Sequence, residues 1–159
     1  MGIRAIAGTG VIIQNNVVHN NSDCGIFSGD TPSIQVLNNT LYTNGSTTLQ
    51  HNIYISNALS DSPIIRGNIS YSAGGGNGVQ LNGDYQQGGD GYIDNAIIED
   101  NLFYNNNGNG IKLISTRNST VQNNVTYGHA GAGGVHIVDQ LGSHFSSGNT
   151  VVNNTLHEA

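Results

Sequence analysis

Branched aliphatic residues recur along the chain in short phrases, each broken at an asparagine: VIIQNNVVHNN from Val11, IQVLNNTLYTN from Ile34, IIRGNISYS from Ile64, IIEDNLFYNN from Ile97, TVQNNVTYGH from Thr120 and TVVNNTLHE from Thr150. Aligned on Asn16, Asn39, Asn68, Asn101, Asn124 and Asn154, the phrases repeat every 23 to 33 residues. That is the spacing of solenoid coils whose loops differ in length. Three positions before each anchor stand Ile13, Val36, Ile65, Ile98, Val121 and Val151, all β-branched and suited to a pleated strand. A second strand precedes each phrase, in GIRAI, GIFS, NIYI, GVQL, GIKL and GVHI. Its alternation places Ile3, Ile26, Ile53, Val79, Ile111 and Val135 on one face, with Ile55, Leu81, Leu113 and Ile137 following them inward. No segment carries a 3.6-residue period with caps. The pattern predicts an all-β parallel solenoid of about six coils.

A single coil cannot bury its apolar face, but stacked coils share a continuous interior. At the bend between two strands, asparagine tolerates the left-handed backbone. Its amide can also bond the equivalent amide one strand spacing away, about 4.8 Å. The six anchors are therefore expected to form a structural ladder that satisfies polar groups the bend would otherwise bury without partners.

Composition narrows the function. The 159 residues form a single expected domain, 1–159, with 9% charged residues against about 25% in ordinary domains. Four basic residues and a net charge of −6 argue against nucleic-acid binding, while permitting cationic partners or calcium. The single cysteine, Cys24, excludes an internal disulfide and reads as a small buried apolar residue. No apolar run reaches the length of a membrane span, and no signal peptide is recognisable at the N-terminus.

The GI-x-L strand followed by h-x-NN-x-h resembles the right-handed parallel β-helix repeats of the pectate-lyase-like superfamily, over essentially the whole chain. That superfamily includes polysaccharide lyases, glycoside hydrolases, alginate epimerases, phage tailspikes, surface proteins and a periplasmic copper-maturation protein. The resemblance implies an extracellular or cell-surface location and contact with a polysaccharide. Superfamily members usually carry an N-terminal capping helix and often more coils. The chain is thus expected to be a segment of a longer solenoid, with open coil ends available for self-association.

Activity has to reside on the outward faces. On the preceding strand these are Arg4, Phe27, Tyr54, Gln80, Lys112 and His136, one per coil. Lys112 or His136 is a candidate base for removing the proton beside a sugar carboxylate, and Tyr54 and Gln80 extend the row as substrate contacts. Arg117 is a candidate carboxylate clamp. The connection NGDYQQGGDGYIDN holds Asp84, Asp90 and Asp94, candidate calcium ligands, and calcium in the related lyases offsets the substrate carboxylate. A further column, His19, Tyr42, Tyr71, Tyr104, Tyr127 and His157, is either a glycan platform through Tyr104 and Tyr127 or a stabilising stack. The histidines lack local zinc or copper spacing. Two functions remain open: a polysaccharide lyase or hydrolase, and a non-catalytic glycan-binding or structural segment of a larger protein.

Overall fold

The computed structural model describes residues 1–140 and 142–157. Its architecture is the expected one. Three six-stranded parallel sheets run the length of the molecule, and each coil adds one strand to each. The first sheet stacks Ile3–Ile6, Ile26–Gly29, Ile53–Ser56, Val79–Asn82, Ile111–Ile114 and Val135–Val138. The second takes the strands just before the anchor asparagines and the third those just after them. A two-stranded patch, Ile93–Asp94 with Thr116–Arg117, lies between the first and second sheets, and the described chain has one short 3-10 turn, Tyr85–Gln87.

The register explains the sequence columns. Ile26, Ile53, Val79 and Ile111 are in line and fully buried, as are Val36, Ile65, Ile98 and Val121 on the second sheet. Phe103 is the largest side chain in this interior. Cys24 is buried beneath the second coil, as expected, and burial pushes its thiol up to about 11.

The anchor asparagines form an unbroken, directional ladder. Both the backbone N–H and the side-chain Nδ2 of each donate to the Oδ1 of the next: Asn16 to Asn39, Asn39 to Asn68, Asn68 to Asn101, Asn101 to Asn124 and Asn124 to Asn154, all at 2.8–3.1 Å. One part of the expectation needs correction. The left-handed residue is the one before the anchor: Asn15, Asn38, Gly67, Asp100, Asn123 and Asn153, with φ from 53° to 67°. The NN doublet thus divides its labour, the first residue turning the chain and the second supplying the amide.

In the third coil the turning residue is a glycine, and the Asn38 amide of the coil below reaches into the space a side chain would fill: a Cβ at Gly67 would collide with Asn38 Oδ1. Gly67→Ala combines that clash with the left-handed penalty of about 1–2 kcal/mol. The expected result is a melting temperature lower by about 2–8 °C. A variant that melts with the parent would show that the bend tolerates a side chain.

A second ladder of opposite direction lies just before the first sheet. The backbone N–H groups of His51, Asn77, Asn109 and Ala132 donate to Cys24 Sγ, His51 Nδ1, Asn77 Oδ1 and Asn109 Oδ1 respectively, at 3.4, 3.0, 2.6 and 2.9 Å. Different side chains fill one role here, that of an acceptor for the next coil.

Candidate functional site

Parallel pairing places Arg4, Phe27, Tyr54, Gln80, Lys112 and His136 in one column on the first sheet. The column is not uniform. Arg4 is exposed, Phe27, Tyr54, Lys112 and His136 are half-buried, and Gln80 is only 8% exposed, its Oε1 accepting from Asn77 Nδ2 at 2.8 Å. Gln80 therefore belongs to the floor rather than to the accessible row. His136 has its Nδ1 buried with no hydrogen-bond partner among the described residues.

At the first three coils the face deepens into a groove of about 360 Å³ lined by Arg4, Phe27, Asp30, Tyr54, Asn57 and Asp84 among others. The connection after Val79–Asn82 supplies its wall. That wall is tied to the floor: Asn82 Nδ2 donates to the Tyr54 hydroxyl at 3.2 Å, Ser56 Oγ to Asp84 Oδ2 at 3.3 Å, and Asn57 Nδ2 to the Gln87 carbonyl at 3.3 Å. Phe27 and Tyr54 meet edge to face, 5.5 Å between centroids, so part of each ring remains turned toward the groove. Tyr54 also packs at 82° on His51, 5.1 Å away. Burial, and secondarily the Lys112 charge, lowers the His51 imidazole to about 4. Asp30 Oδ1 is buried without a described partner at the groove edge.

The expected calcium ligands do not converge. Arg117 takes Asp94 in a two-point contact, Nε to Oδ1 at 2.7 Å and Nη2 to Oδ2 at 2.6 Å. It also pairs with Asp90 and lies 3.9 Å over the Tyr92 ring. These carboxylates raise the Arg117 guanidinium above its ordinary range. Asp84 sits apart, in the groove wall. Among the described residues no group of three or more His, Cys, Asp or Glu side chains is placed to hold a metal ion. The same contacts correct the role given to Arg117: its fork is already filled by Asp94, so it braces the 82–95 connection instead of offering a free carboxylate clamp. Beyond it, His144 stacks on Tyr85 at 4.7 Å and fastens this connection to the last coil.

The aromatic column lies on the third sheet, away from the groove. His19, Tyr42, Tyr71, Tyr104 and Tyr127 stack nearly parallel, 4.7–5.3 Å apart and within 12°. Tyr42, Tyr71 and Tyr104 are covered on both faces, while Tyr127 is stacked on one face and is 36% exposed. Tyr104 therefore has no free ring face to offer a sugar, and the stacking favours a stabilising role for the column.

Three parallel sheets, one strand of each per coil, joined by the right-handed crossovers that parallel strands require and sealed by a polar ladder, define a right-handed parallel β-helix. The chain belongs to the NosD family, whose profile, described as periplasmic copper-binding protein, matches residues 1–158. Similar solved structures include two mutants of the periplasmic alginate epimerase AlgG. One has a TM-score of 0.57 at 15% identity, covering 97% of this chain and 47% of that one. The other has a TM-score of 0.55 at 14% identity, covering 96% and 47%. The A-module of the mannuronan C-5 epimerase AlgE6 from Azotobacter vinelandii has a TM-score of 0.53 at 18% identity, covering 99% and 51%. At these identities the likeness concerns the fold alone, and the chain spans about half the length of each. A search of curated proteins yields no match.

The family description raises copper, and the donors present do not fit it. A thiolate site would need Cys24, but its thiol is buried, held protonated by burial and already accepts from the His51 backbone N–H, while the His51 ring Nδ1 accepts from the Asn77 N–H. His19 and His157 stand in the first and last strands of the third sheet, and His144 is packed between Tyr85 and Tyr92.

Proposed function

We propose that this protein is an exported polysaccharide-binding β-helix unit, and that the sugar chain lies along the first sheet, parallel to the solenoid axis. The observation that carries this is the groove at Phe27 and Tyr54: two partly open aromatic rings, flanked by a wall rich in amide, hydroxyl and carboxylate groups. Apolar ring faces with a few directed polar groups are the composition of a carbohydrate site. The strand spacing of about 4.8 Å is also close to the length of one pyranose unit, so each coil can address one sugar. No helix among the described residues is long and apolar enough to cross a membrane.

Calorimetry against a panel of oligosaccharides tests the assignment. Phe27→Ala and Tyr54→Ala should each weaken binding by about tenfold, the scale of a lost aromatic contact. Tyr127→Ala, on the third sheet, should leave it unchanged. The reverse outcome would move the site to the other face.

Catalysis at the far end of the column is a second reading, favoured by the unpartnered Nδ1 of His136 beside Lys112, its strand neighbour. It requires turnover that His136→Ala abolishes; elimination from a uronate would be followed by the ultraviolet absorbance of the unsaturated product.

A further inference from the structure

We propose that copies of this chain join head to tail, the first coil of one seated on the last coil of another, so that the solenoid continues across the junction. All three sheets end on strands with an unpaired edge: Ile3–Ile6, Ile12–Gln14 and Val17–His19 at one end, Val135–Val138, Thr150–Val152 and Thr155–His157 at the other. Such edges are templates for further pairing. The two ends are not alike, and the difference selects the partner. In the first coil the inward Ile13 and Val18 are only 6% exposed, although a coil packs on one side only. In the last coil Val151 and Leu156, which continue the same inward columns, are 44% and 50% exposed. The inward side chains of a coil are thus covered by the coil that follows it. Among the described residues nothing covers those of the last.

The first coil has the matching surface. It holds a recess of about 390 Å³ lined by Gly2, Asn16, Val18 and Asn21 among others, and Val18 heads the column that Leu156 ends. The anchor ladder fixes the orientation. Asn154 accepts from Asn124 through Oδ1, and its own backbone N–H meets no acceptor among the described residues; Asn16 donates to Asn39, and its Oδ1 receives no amide among them. Bringing the last coil onto the first extends the ladder by one step, whereas like ends would set donor against donor or acceptor against acceptor. The charges agree with this polarity: residues 1–22 hold Arg4 and no Asp or Glu, and residues 118–157 hold Asp139 and no Lys or Arg. A contact between different patches of two copies, displaced along one axis, does not close and therefore propagates. Each copy adds six coils, about 29 Å at the usual strand spacing.

Sedimentation velocity of the intact chain over a wide concentration range tests this. The sedimentation coefficient should rise with concentration without reaching a plateau. Leu156→Glu on the last coil and Asn21→Glu in the recess each put a carboxylate into the junction, and each variant alone should stay a monomer. Mixed, the two should form a one-to-one complex and nothing larger, because each keeps one competent end. Leu156→Ala removes the projecting side chain without adding charge and should weaken association by about tenfold or more. Melting curves matching the parent show which variants are folded, and Leu156→Ala decides the matter if either charged variant is not. Neither Leu156 nor Asn21 lines the first-sheet groove, so the outcome is independent of the sugar assignment.

A parent that is monomeric at every concentration overturns the proposal, as does association that Leu156→Ala leaves unchanged. A mass that stops at the dimer means that like ends meet, and the head-to-tail junction is wrong. Folded charged variants that fail to combine on mixing overturn it equally.

Discussion

Asn101→Asp should destabilise the protein by about 3–5 kcal/mol, the range for an uncompensated buried charge, and more than Asn101→Ala, for which the loss of buried partners predicts about 1–3 kcal/mol. The two side chains are nearly the same shape, so packing does not separate them. Asn101 is 2% exposed, and its Nδ2 donates to the carbonyls of Ile65 and Glu99 and to Asn124 Oδ1, each at 2.9 Å. In the aspartate the corresponding oxygen would face three acceptors in a site closed to water. The variant also has its own pH signature. The folded state should raise the carboxyl pKa, so the penalty grows as pH rises above the unfolded value of about 3.9 and shrinks in acid, where the protonated group can donate. Urea denaturation at pH 7 and pH 4 measures both effects. An aspartate variant as stable as the alanine variant at pH 7 would show that the ladder position is wet.

The second large effect belongs to His51. Burial holds its pKa at about 4 in the folded state, against about 6.5 unfolded. Between those values the unfolded chain binds more protons than the folded one. Stability from this group is therefore fully present above pH 6.5 and is lost as pH falls toward 4, by about 3 kcal/mol in all. The structure suggests a replacement that separates this effect from general acid denaturation. Asparagine fills the equivalent ladder position in the next two coils, as Asn77 and Asn109. His51→Asn retains an acceptor for the Asn77 N–H without a titrating ring, so its stability should vary much less between pH 6.5 and 4 than that of the parent. Equal slopes for the two proteins would mean that other groups carry the pH dependence.

The parts of the fold legible in the sequence are those where the same residue type recurs for the same reason. The anchor asparagines and the aliphatic residues three positions earlier sit at equivalent points of every coil, so aligning the phrases amounts to stacking the strands. The second ladder escaped notice because its members share an acceptor atom rather than a residue name: a thiol in Cys24, an imidazole in His51, amides in Asn77 and Asn109.

The orientation of the third sheet was likewise hidden. Its inward position holds Leu41 and Phe103 but also Ser70 and Thr126, all fully buried, while Ile69 is 39% exposed. Ser70 belongs inside because the interior at that height carries amides: its hydroxyl accepts from Asn52 Nδ2 and donates to the Gly78 carbonyl. Hydropathy alone therefore points the strand the wrong way. In the candidate site, the column from Arg4 to His136 could be read from alternation. The pairing of Arg117 with Asp94 could not, because it depends on how the insertion between Asn82 and Asn95 folds back to bring Asp94 beside the next coil. Asp30, at the groove edge, reads in the sequence as one more aspartate in a turn, and only its orphaned oxygen distinguishes it.

The most direct test of the sugar-site assignment is a two-dimensional amide NMR titration of the 16.6 kDa chain with the oligosaccharides of the calorimetric panel. The account predicts saturable shifts confined to the groove, at the amides of Arg4, Phe27, Asp30, Tyr54, Asn57 and Asp84, with the amides of Tyr71, Tyr104 and Tyr127 unmoved. Shifts centred on the tyrosine stack, or none at concentrations where weak sugar binding would saturate, would contradict it.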